Sequence, residues 1–218
     1  MNSTVPHDPA HRLRHALDLL PLVAILRGLP AADAMGIGHA LVDEGWRLIE
    51  VPLNSPEPLR SIETLAAAFP KALVGAGTVL KPSQVREVYA AGGRLVVSPN
   101  VDRDVVVAAV DLGMVCLPGV VTPTEAFAAL AAGAHGIKLF PAEMFSPAVL
   151  KALRAVLPAD TVVLPVGGIS PTGMAPYRAA GANGFGLGSA LYRPGMDAPT
   201  VGANARAFIQ AWNGLREA

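Results

Sequence analysis

The sequence has little cysteine and little charge. Its single cysteine, Cys116, excludes an internal disulfide and a thiolate metal site, and one thiol is typical of a protein from a reducing compartment. Charged residues make up 16% of the 218 residues, and the 17 basic side chains balance the 17 acidic ones. This balance argues against a basic nucleic-acid footprint or a polybasic membrane patch. We therefore expect a cytoplasmic protein with no nucleic-acid or membrane partner.

Long hydrophobic runs are also absent. The longest stretch without a charged residue is the 17 residues 161–177, and six prolines and glycines interrupt it, so it cannot be a spanning helix. Near the N-terminus, the apolar run 19–26 is followed by Arg27 and Gly28 instead of a small-residue cleavage site. A secretory signal is therefore not expected.

What the sequence does contain is a regular series of apolar runs. They recur roughly every 20–26 residues and leave room for one helix between each pair. The runs are 22–26, 47–53, 72–76, 95–98, 115–117, 136–140, 162–166 and 184–187. Eight strands that alternate with eight helices predict a single-domain α/β protein, a (β/α)8 TIM barrel over residues 16–218. Residues 1–15 are an N-terminal extension, either helical or flexible, and an open doubly wound sheet is the alternative architecture.

Prolines mark the predicted helix starts. Pro56, Pro82, Pro123, Pro147 and Pro171 each follow Ser, Thr or Lys, the order expected when proline occupies the first turn of a helix. The run from Thr122 to Glu125 is also a capping-box pattern.

Two ionisable residues fall inside predicted strands. Lys138 is the only one of four lysines in a strand, and Glu50 is the only carboxylate in any of the eight. Alternation directs Ile137 and Leu139 toward the helices and Lys138 to the interior, with Glu50 pointing inward in the same way. A desolvated lysine is a candidate amine nucleophile and the glutamate a candidate general acid or base. A lysine that reaches water, or a structural ion pair, remains open as the alternative.

Polar and glycine-rich segments follow other predicted strands. Arg27 ends the first strand and could clamp an anion, and Thr78 closes the third. After strand seven, Val166 precedes Gly167 and Gly168; the last strand continues into Gly188 and Ser189. Because barrels commonly bind phosphate through the loops after strands seven and eight, these glycines predict a phosphate site.

No metal site or cofactor is expected. The histidines form no cluster at a strand end, and three of them share a helical spacing near the N-terminus that is typical of a solvated face. The five histidines are His7, His11, His15, His39 and His135.

Taken in order, these motifs identify the chain as a member of a known family. It resembles the class I 2-keto-3-deoxy-6-phosphogluconate and 6-phosphogalactonate aldolases over residues 19–214. The carriers are 25–28 (ILRG), 49–56 (IEVPLNSP), 74–80 (VGAGTVL), 97–100 (VSPN), 117–119 (LPG), 137–143 (IKLFPAE), 166–169 (VGGI) and 186–189 (GLGS). The resemblance implies a homotrimeric barrel, an imine on Lys138 and acid/base work by Glu50.

The two branches of this family differ in the substrate configuration at C4. Pro52, Asn54 and Val166 are similar to the galactonate branch, whereas the run that ends at Glu143 is similar to the gluconate branch. The resemblance therefore favours cleavage of 2-keto-3-deoxy-6-phosphogalactonate to pyruvate and glyceraldehyde 3-phosphate, with the gluconate epimer as the alternative. A phosphosugar isomerase or epimerase and a non-catalytic phosphosugar-binding barrel are further alternatives.

Overall fold

Nine short parallel strands form the centre of the fold. The structure is a computed structural model that describes residues 8–215, so His7 and both chain ends lie outside the described residues. The strands are β1 (Leu22–Ile25), β2 (Leu48–Pro52), β3 (Leu73–Gly77), β4 (Leu95–Val97), β5 (Val115–Leu117), β6 (Gly119–Val120), β7 (Ile137–Leu139), β8 (Val163–Pro165) and β9 (Phe185–Leu187). Each of the eight predicted apolar runs coincides with a strand to within one residue at either end, and the fifth continues past Pro118 into β6.

Helices alternate with these strands along the chain. The α-helices are α1 (Pro9–Leu19), α2 (Ala34–Val42), α3 (Pro58–Ala68), α4 (Pro82–Ala90), α5 (Arg103–Asp111), α6 (Pro123–Ala131), α7 (Pro147–Arg154), α8 (Met174–Ala179) and α9 (Ala198–Gly214). Three 3₁₀ helices cover Ala31–Asp33, Ala142–Met144 and Pro171–Gly173. None of the helices in residues 8–215 is long and apolar enough to cross a membrane.

The strands pair in the order of the sequence. A curled six-stranded sheet has the order β5-β4-β3-β2-β1-β9, and a second sheet has the order β6-β7-β8. The second sheet meets the first through Pro118 at one side and through a bridge between Val166 and Gly186 at the other. The order lacks the reversal that a doubly wound sheet requires, so that alternative is wrong.

Three of the five helix starts predicted from prolines are confirmed. Helices α4, α6 and α7 begin at Pro82, Pro123 and Pro147. The capping box is formed as well: Glu125 N donates to Thr122 Oγ1 over 3.3 Å, and Thr122 N donates to the Glu125 carboxylate over 2.8 Å. These caps satisfy backbone amides that the first turn leaves without partners.

Two of the proline predictions need correction. Helix α3 begins at Pro58 and not at Pro56, because Glu57 has a φ of 42°, in the left-handed region that a right-handed helix cannot contain. Pro171 begins a 3₁₀ helix, and α8 follows from Met174.

Side chains on the two faces of the strands belong to two separate apolar clusters. Ile137, Leu139, Ile49 and Val51 pack with the helices in the outer cluster, as alternation predicts. The inner cluster contains Leu48, Leu73, Leu95 and Val115 from strand starts, together with Leu13 and Ala16 from α1. Helix α1 therefore covers the end of the sheet where the strands begin. A boundary drawn at residue 15 would cut through this helix.

The contact of α1 with the inner cluster can be tested with one pair of substitutions. Leu13→Ala should lower the free energy of unfolding by about 2–4 kcal/mol, because a leucine that is 1% exposed leaves a cavity when it is truncated. Leu19→Ala on the same helix, where the side chain is 54% exposed, should cost about 0.5 kcal/mol or less. Urea unfolding of both variants measures the difference, and equal losses would contradict this role of α1.

Candidate active site

Lys138 and Glu50 meet inside the strand layer. Lys138 lies in the middle of β7 and Glu50 in the middle of β2, and they line one narrow cavity together with Ile25, Val97 and Val166. Glu50 is 1% exposed and Lys138 is 5% exposed. The prediction that both side chains point inward is confirmed, and a lysine that reaches water is excluded.

The two buried groups do not form an ion pair. No salt bridge of the described residues joins them. Glu50 Oε2 is buried and has no hydrogen-bond partner. Lys138 Nζ lies 4.4 Å from the centre of the Phe140 ring, a cation–π distance. A structural ion pair therefore does not account for this placement, and both groups are left available to a ligand.

Burial shifts both groups toward their neutral forms. Desolvation raises the pKa of Glu50 from 4.5 to about 7, against the opposing influence of the positive charges of Lys138 and Arg27. Desolvation likewise lowers the pKa of Lys138, with Glu50 acting in the opposite direction and Arg27 lowering it further. A glutamate that titrates near neutrality can give and take protons, and a lysine with a lowered pKa supplies a free amine.

Glycine makes the room that the Glu50 carboxylate occupies. A Cβ on Gly77 would overlap the Glu50 carboxylate, and a Cβ on Gly75 would overlap the Leu95 backbone in the neighbouring strand. The fragment from Gly75 to Gly77 carries no dinucleotide fingerprint, and its role in the site is not visible from the sequence. The order of the strands implies that β3 pairs with β2, and this pairing could have placed Gly77 beside Glu50.

Thr78 has a strained backbone at the end of β3. Its φ is 57°, an uncommon value for a β-branched residue, and the residue is half-buried directly after Gly77. Backbone outliers of this kind persist only where the surrounding structure holds them in place, and they cluster at functional sites.

Arg27 is held at the mouth of the cavity by the loop that follows β2. Arg27 Nη1 donates to Asn54 Oδ1 over 3.2 Å, and Gly28 N donates to Ser55 Oγ over 2.8 Å. The remaining guanidinium N–H groups of Arg27 stay exposed to solvent. Since the Arg27 charge acts on both Glu50 and Lys138, an anion bound there would lie beside the reactive groups.

The glycine loops after β8 and β9 lie beside each other. Gly167 and Gly168 have φ values of 113° and 63°, and the bridge from Val166 to Gly186 joins the two segments. Val166 is 6% exposed and lines the cavity of Lys138.

After β9 the chain makes a single helical turn. Gly188 O accepts hydrogen bonds from Leu191 N at 2.8 Å and Tyr192 N at 3.0 Å, and Ser189 at its start is exposed. A Cβ on Gly188 would meet nothing within 4 Å, so this turn faces open space. Backbone amides at the start of such a turn are suited to bind an anion.

The side chain of Glu143 lies over Gly167 and Gly168. The sequence gives no sign of this contact. A Cβ on Gly167 would overlap the Glu143 carboxylate, and a Cβ on Gly168 would lie 2.6 Å from Glu143 Cγ. The exposed Glu143 lies on the short helix Ala142–Met144, and its carboxylate lies beside Gly167, the residue that follows Val166. The nearby Tyr177 hydroxyl, which donates to the Ala142 carbonyl over 3.0 Å, helps to fix that helix.

The histidines do not gather at this site. Within residues 8–215, no three His, Cys, Asp or Glu side chains come together in a way that could hold a metal ion. His11 and His15 stack on α1 with ring centres 6.5 Å apart. His39 lies against Phe69, and His135 Nδ1 accepts from Cys116 N over 3.2 Å.

Comparison with known proteins shows the family of this chain. Residues 13–201 match the family described as KDPG and KHG aldolase, and the chain belongs to that family of lyases. A probable 2-dehydro-3-deoxy-6-phosphogalactonate aldolase from Rhizobium meliloti (strain 1021) is 51% identical over 89% of this chain and 92% of the relative. The 2-dehydro-3-deoxy-6-phosphogalactonate aldolase of Escherichia coli (strain K12) is 46% identical over 88% of this chain and 95% of the relative.

Solved structures show the same relationship. A structure described as native KDPGal superimposes with a TM-score of 0.90 at 45% identity, covering 91% of this chain and 97% of the other. A KDPG aldolase from Legionella pneumophila, solved with pyruvate captured as a covalent carbinolamine intermediate, has a TM-score of 0.75 at 27% identity and covers 96% and 97% of the two chains. The family expected from the sequence motifs is confirmed.

The raised pKa of Glu50 predicts how stability depends on pH. Between about pH 4.5 and 7 the folded protein keeps a proton on Glu50 that the unfolded chain has lost, so stability falls as pH rises through this window. Glu50→Gln should abolish this part of the loss, which amounts to about 3 kcal/mol for a shift of this size. Urea unfolding at pH 4.5 and pH 8 measures it, with the exposed Glu63→Gln as the control. A wild-type pH dependence that persists in Glu50→Gln would contradict the raised pKa.

Proposed function

We propose that this protein is a class I aldolase that cleaves 2-keto-3-deoxy-6-phosphogalactonate to pyruvate and D-glyceraldehyde 3-phosphate. The observation that carries the proposal is the buried, unpaired Lys138 amine beside a glutamate that titrates near neutrality. The names of the two relatives at 46–51% identity support the galactonate substrate. The chemistry needs only side chains of this chain, with no metal and no cofactor.

In the first steps the amine becomes covalently attached to the substrate. Lys138 Nζ attacks the C2 ketone, and loss of water from the carbinolamine gives a protonated imine. Glu50, through a water molecule, supplies and removes the protons of this dehydration. The carbinolamine reported for the Legionella pneumophila enzyme supports this route.

Bond cleavage then uses the imine as an electron sink. Glu50 removes the proton of the C4 hydroxyl through a water molecule, the C3–C4 electron pair moves toward the imine nitrogen, and glyceraldehyde 3-phosphate leaves as the aldehyde. The protonated Glu50 next returns a proton to C3 of the enamine, and hydrolysis of the imine releases pyruvate. One water leaves and one returns, so the reaction is balanced, and a carboxyl with a pKa of about 7 can act in both directions.

The charged ends of the substrate go to opposite sides of the mouth. Arg27 lies close enough to influence both catalytic groups, so we assign it, with Thr78, to the carboxylate of the pyruvyl end. The loop of Gly167 and Gly168 and the turn of Gly188 and Ser189 then bind the phosphate through backbone amides. Glu143, which lies over the double glycine, must rotate away to admit it.

We also infer the assembly in which this chemistry takes place. If β5 and β6 count as one strand interrupted at Pro118, eight strands close through the Val166–Gly186 bridge into a (β/α)8 barrel. The catalytic domain would span residues 16–218, with residues 1–15 as an N-terminal extension, and α1 (Pro9–Leu19) would continue across the boundary between them. A cytoplasmic homotrimer follows from the family resemblance. Phe127, 45% exposed, and Val156, 56% exposed, are candidate interface side chains.

The position of Glu143 favours a second candidate function, which is cleavage of the gluconate epimer. Its carboxylate lies beside Gly167, which follows Val166, and could accept a hydrogen bond from a C4 hydroxyl that the valine cannot satisfy. An isomerase or epimerase would use Glu50 as a base without any covalent bond to Lys138, and a binding protein would need neither group.

Borohydride trapping tests the covalent step. Pyruvate with borohydride should add the mass of a reduced pyruvyl adduct at Lys138, which neither an isomerase nor a binding protein would do. Lys138→Arg keeps the charge but has no free amine, so trapping should vanish and cleavage should fall below about a hundredth of wild type. Mass spectrometry and a coupled pyruvate assay measure both effects, and Lys151→Arg on the surface is the control. Cleavage above that level in Lys138→Arg would rule out the nucleophile assignment.

Val166→Thr tests the choice of epimer. A C4 hydroxyl that points at the buried Val166 finds no partner, and such a loss costs about 1–3 kcal/mol, or about ten- to hundredfold in rate. A threonine adds a hydroxyl to nearly the same shape, so kcat/KM for the gluconate epimer should rise relative to the galactonate epimer. Measuring kcat/KM for both epimers decides the matter. An unchanged ratio would show that Val166 does not select the substrate.

A further inference from the structure

A second cavity lies at the other end of the sheet, where the strands begin. It has a volume of about 720 Å³, a usual size for a small-molecule site, and it opens between α1 and the starts of β2, β3 and β4. We call it the basal cavity. Six of its lining residues are basic: His11, Arg12, His15, Arg47, Lys71 and Arg94. Since none of its lining residues is acidic, it is a concentration of positive charge in a chain of zero net charge.

Strand pairing brings the basic side chains together. Leu73 N donates to Arg47 O over 2.6 Å, and Arg94 N donates to Val74 O over 2.8 Å, so these positions start three adjacent strands. Neighbouring strands are about 4.8 Å apart, so the row from Arg47 past Lys71 to Arg94 is about 10 Å wide. Arg12 projects from α1, which forms the opposite wall.

Backbone carbonyls, and not carboxylates, hold the three guanidinium groups. The hydrogen bonds run from Arg12 Nη2 to Gly113 O (2.6 Å), from Arg47 Nη1 to Trp46 O (2.8 Å) and Val42 O (3.2 Å), and from Arg94 Nη1 to Gly93 O (2.6 Å) and Tyr89 O (3.1 Å). None of the three takes part in a salt bridge of the described residues. Each guanidinium is therefore fixed in position without a carboxylate partner. Arg47 and Arg94 bond carbonyls near the C-terminal ends of α2 and α4, and Arg94 also lies 4.1 Å from the centre of the Tyr89 ring.

The charge of Arg94 also acts on Arg12. Burial, and after it the positive charge of Arg94, lowers the pKa of Arg12, while Asp8 raises it from outside the cavity lining. Arg12 Nε is buried without a hydrogen-bond partner among the described residues. A bound anion would relieve the repulsion between Arg12 and Arg94.

The remaining wall is apolar. Ala16 and Leu19 from α1 face Pro70 and Leu73 across the cavity, and Leu19 is 54% exposed. An inorganic anion would fill only the basic side, whereas a ligand with an organic body would also cover the apolar side.

We propose that the basal cavity binds an organic phosphate with at least two negative charges, the class that includes nucleoside diphosphates. Guanidinium groups match phosphate oxygens in bidentate geometry, and Lys71 adds a flexible point charge. The inner apolar cluster, with Leu13 of α1, separates this site from Lys138 and Glu50. The basal cavity is thus distinct from the glycine loops after β8 and β9 that we assign to the substrate phosphate, and ligand binding there is independent of the reaction.

Calorimetric titration with ADP and with inorganic pyrophosphate tests the proposal. Wild type should bind ADP more tightly than pyrophosphate, and excess ADP should raise the melting temperature. Lys71→Glu reverses an exposed charge and should weaken ADP binding by at least about tenfold, as should Arg94→Gln. Lys151→Glu makes the same reversal on α7, outside the cavity, and should leave the dissociation constant unchanged.

A variant in the turn after β9 distinguishes ADP binding in the basal cavity from ADP binding at the loops near Lys138. Gly188→Val blocks the turn after β9 and should leave ADP binding intact, with circular dichroism confirming the fold. Loss of ADP binding in Gly188→Val, but not in Lys71→Glu, would place the anion in the catalytic loops and overturn the proposal. Absence of ADP binding to wild type at millimolar concentrations would overturn it as well. Neither result would affect the aldolase assignment, which borohydride trapping decides separately.

Discussion

The burial of two ionisable side chains without an ion pair is the constraint on which the rest of this structure depends. Inside the strand layer an unpaired charge costs several kcal/mol, so Lys138 and Glu50 both shift toward their neutral forms. A direct pair would have compensated the charges and tied up both groups. Instead Glu50 Oε2 has no partner and the amine faces the Phe140 ring. The cavity thus holds a carboxyl group and an amine whose pKa values are both shifted in favour of the neutral form.

This arrangement needs the two ends of the strand layer to differ. At the start of the strands, Leu13 and Ala16 of α1 join leucines and valines in an inner apolar cluster, which provides the burial free energy. At the other end, Gly77 leaves space for a carboxylate and Gly188 leaves space for a ligand. The packed end supports the fold, and the open end holds polar groups that would be unfavourable in a filled core.

The inward placement of Lys138 and Glu50 could be predicted because it depends only on the period of two along a strand. Proline and capping signals fixed the starts of α4, α6 and α7 for the same local reason. Features that arise from contacts between distant segments could not be predicted in this way. Examples are the bond from Arg27 to Asn54 and the Glu143 carboxylate over Gly167. The left-handed φ of Glu57, which moved the start of α3, gave no signal either, since neither glycine nor asparagine marks that position.

Net charge is a poor guide to local fields in this molecule. The sum of zero is the basis for expecting no large basic face, because nucleic acids need many phosphate contacts spread over a surface. It does not argue against small concentrations of charge, because interactions beyond about 8–10 Å are screened while those within a cavity are not. Arg27 at one end of the sheet and the row from Arg47 to Arg94 at the other are local positive charges of this kind, and no acidic side chain lines the basal cavity. Backbone carbonyls anchor Arg47 and Arg94 in that row, and the charge of Arg94 acts against that of Arg12 on the opposite wall. Positive charge held in place against repulsion is the arrangement expected where an anion binds.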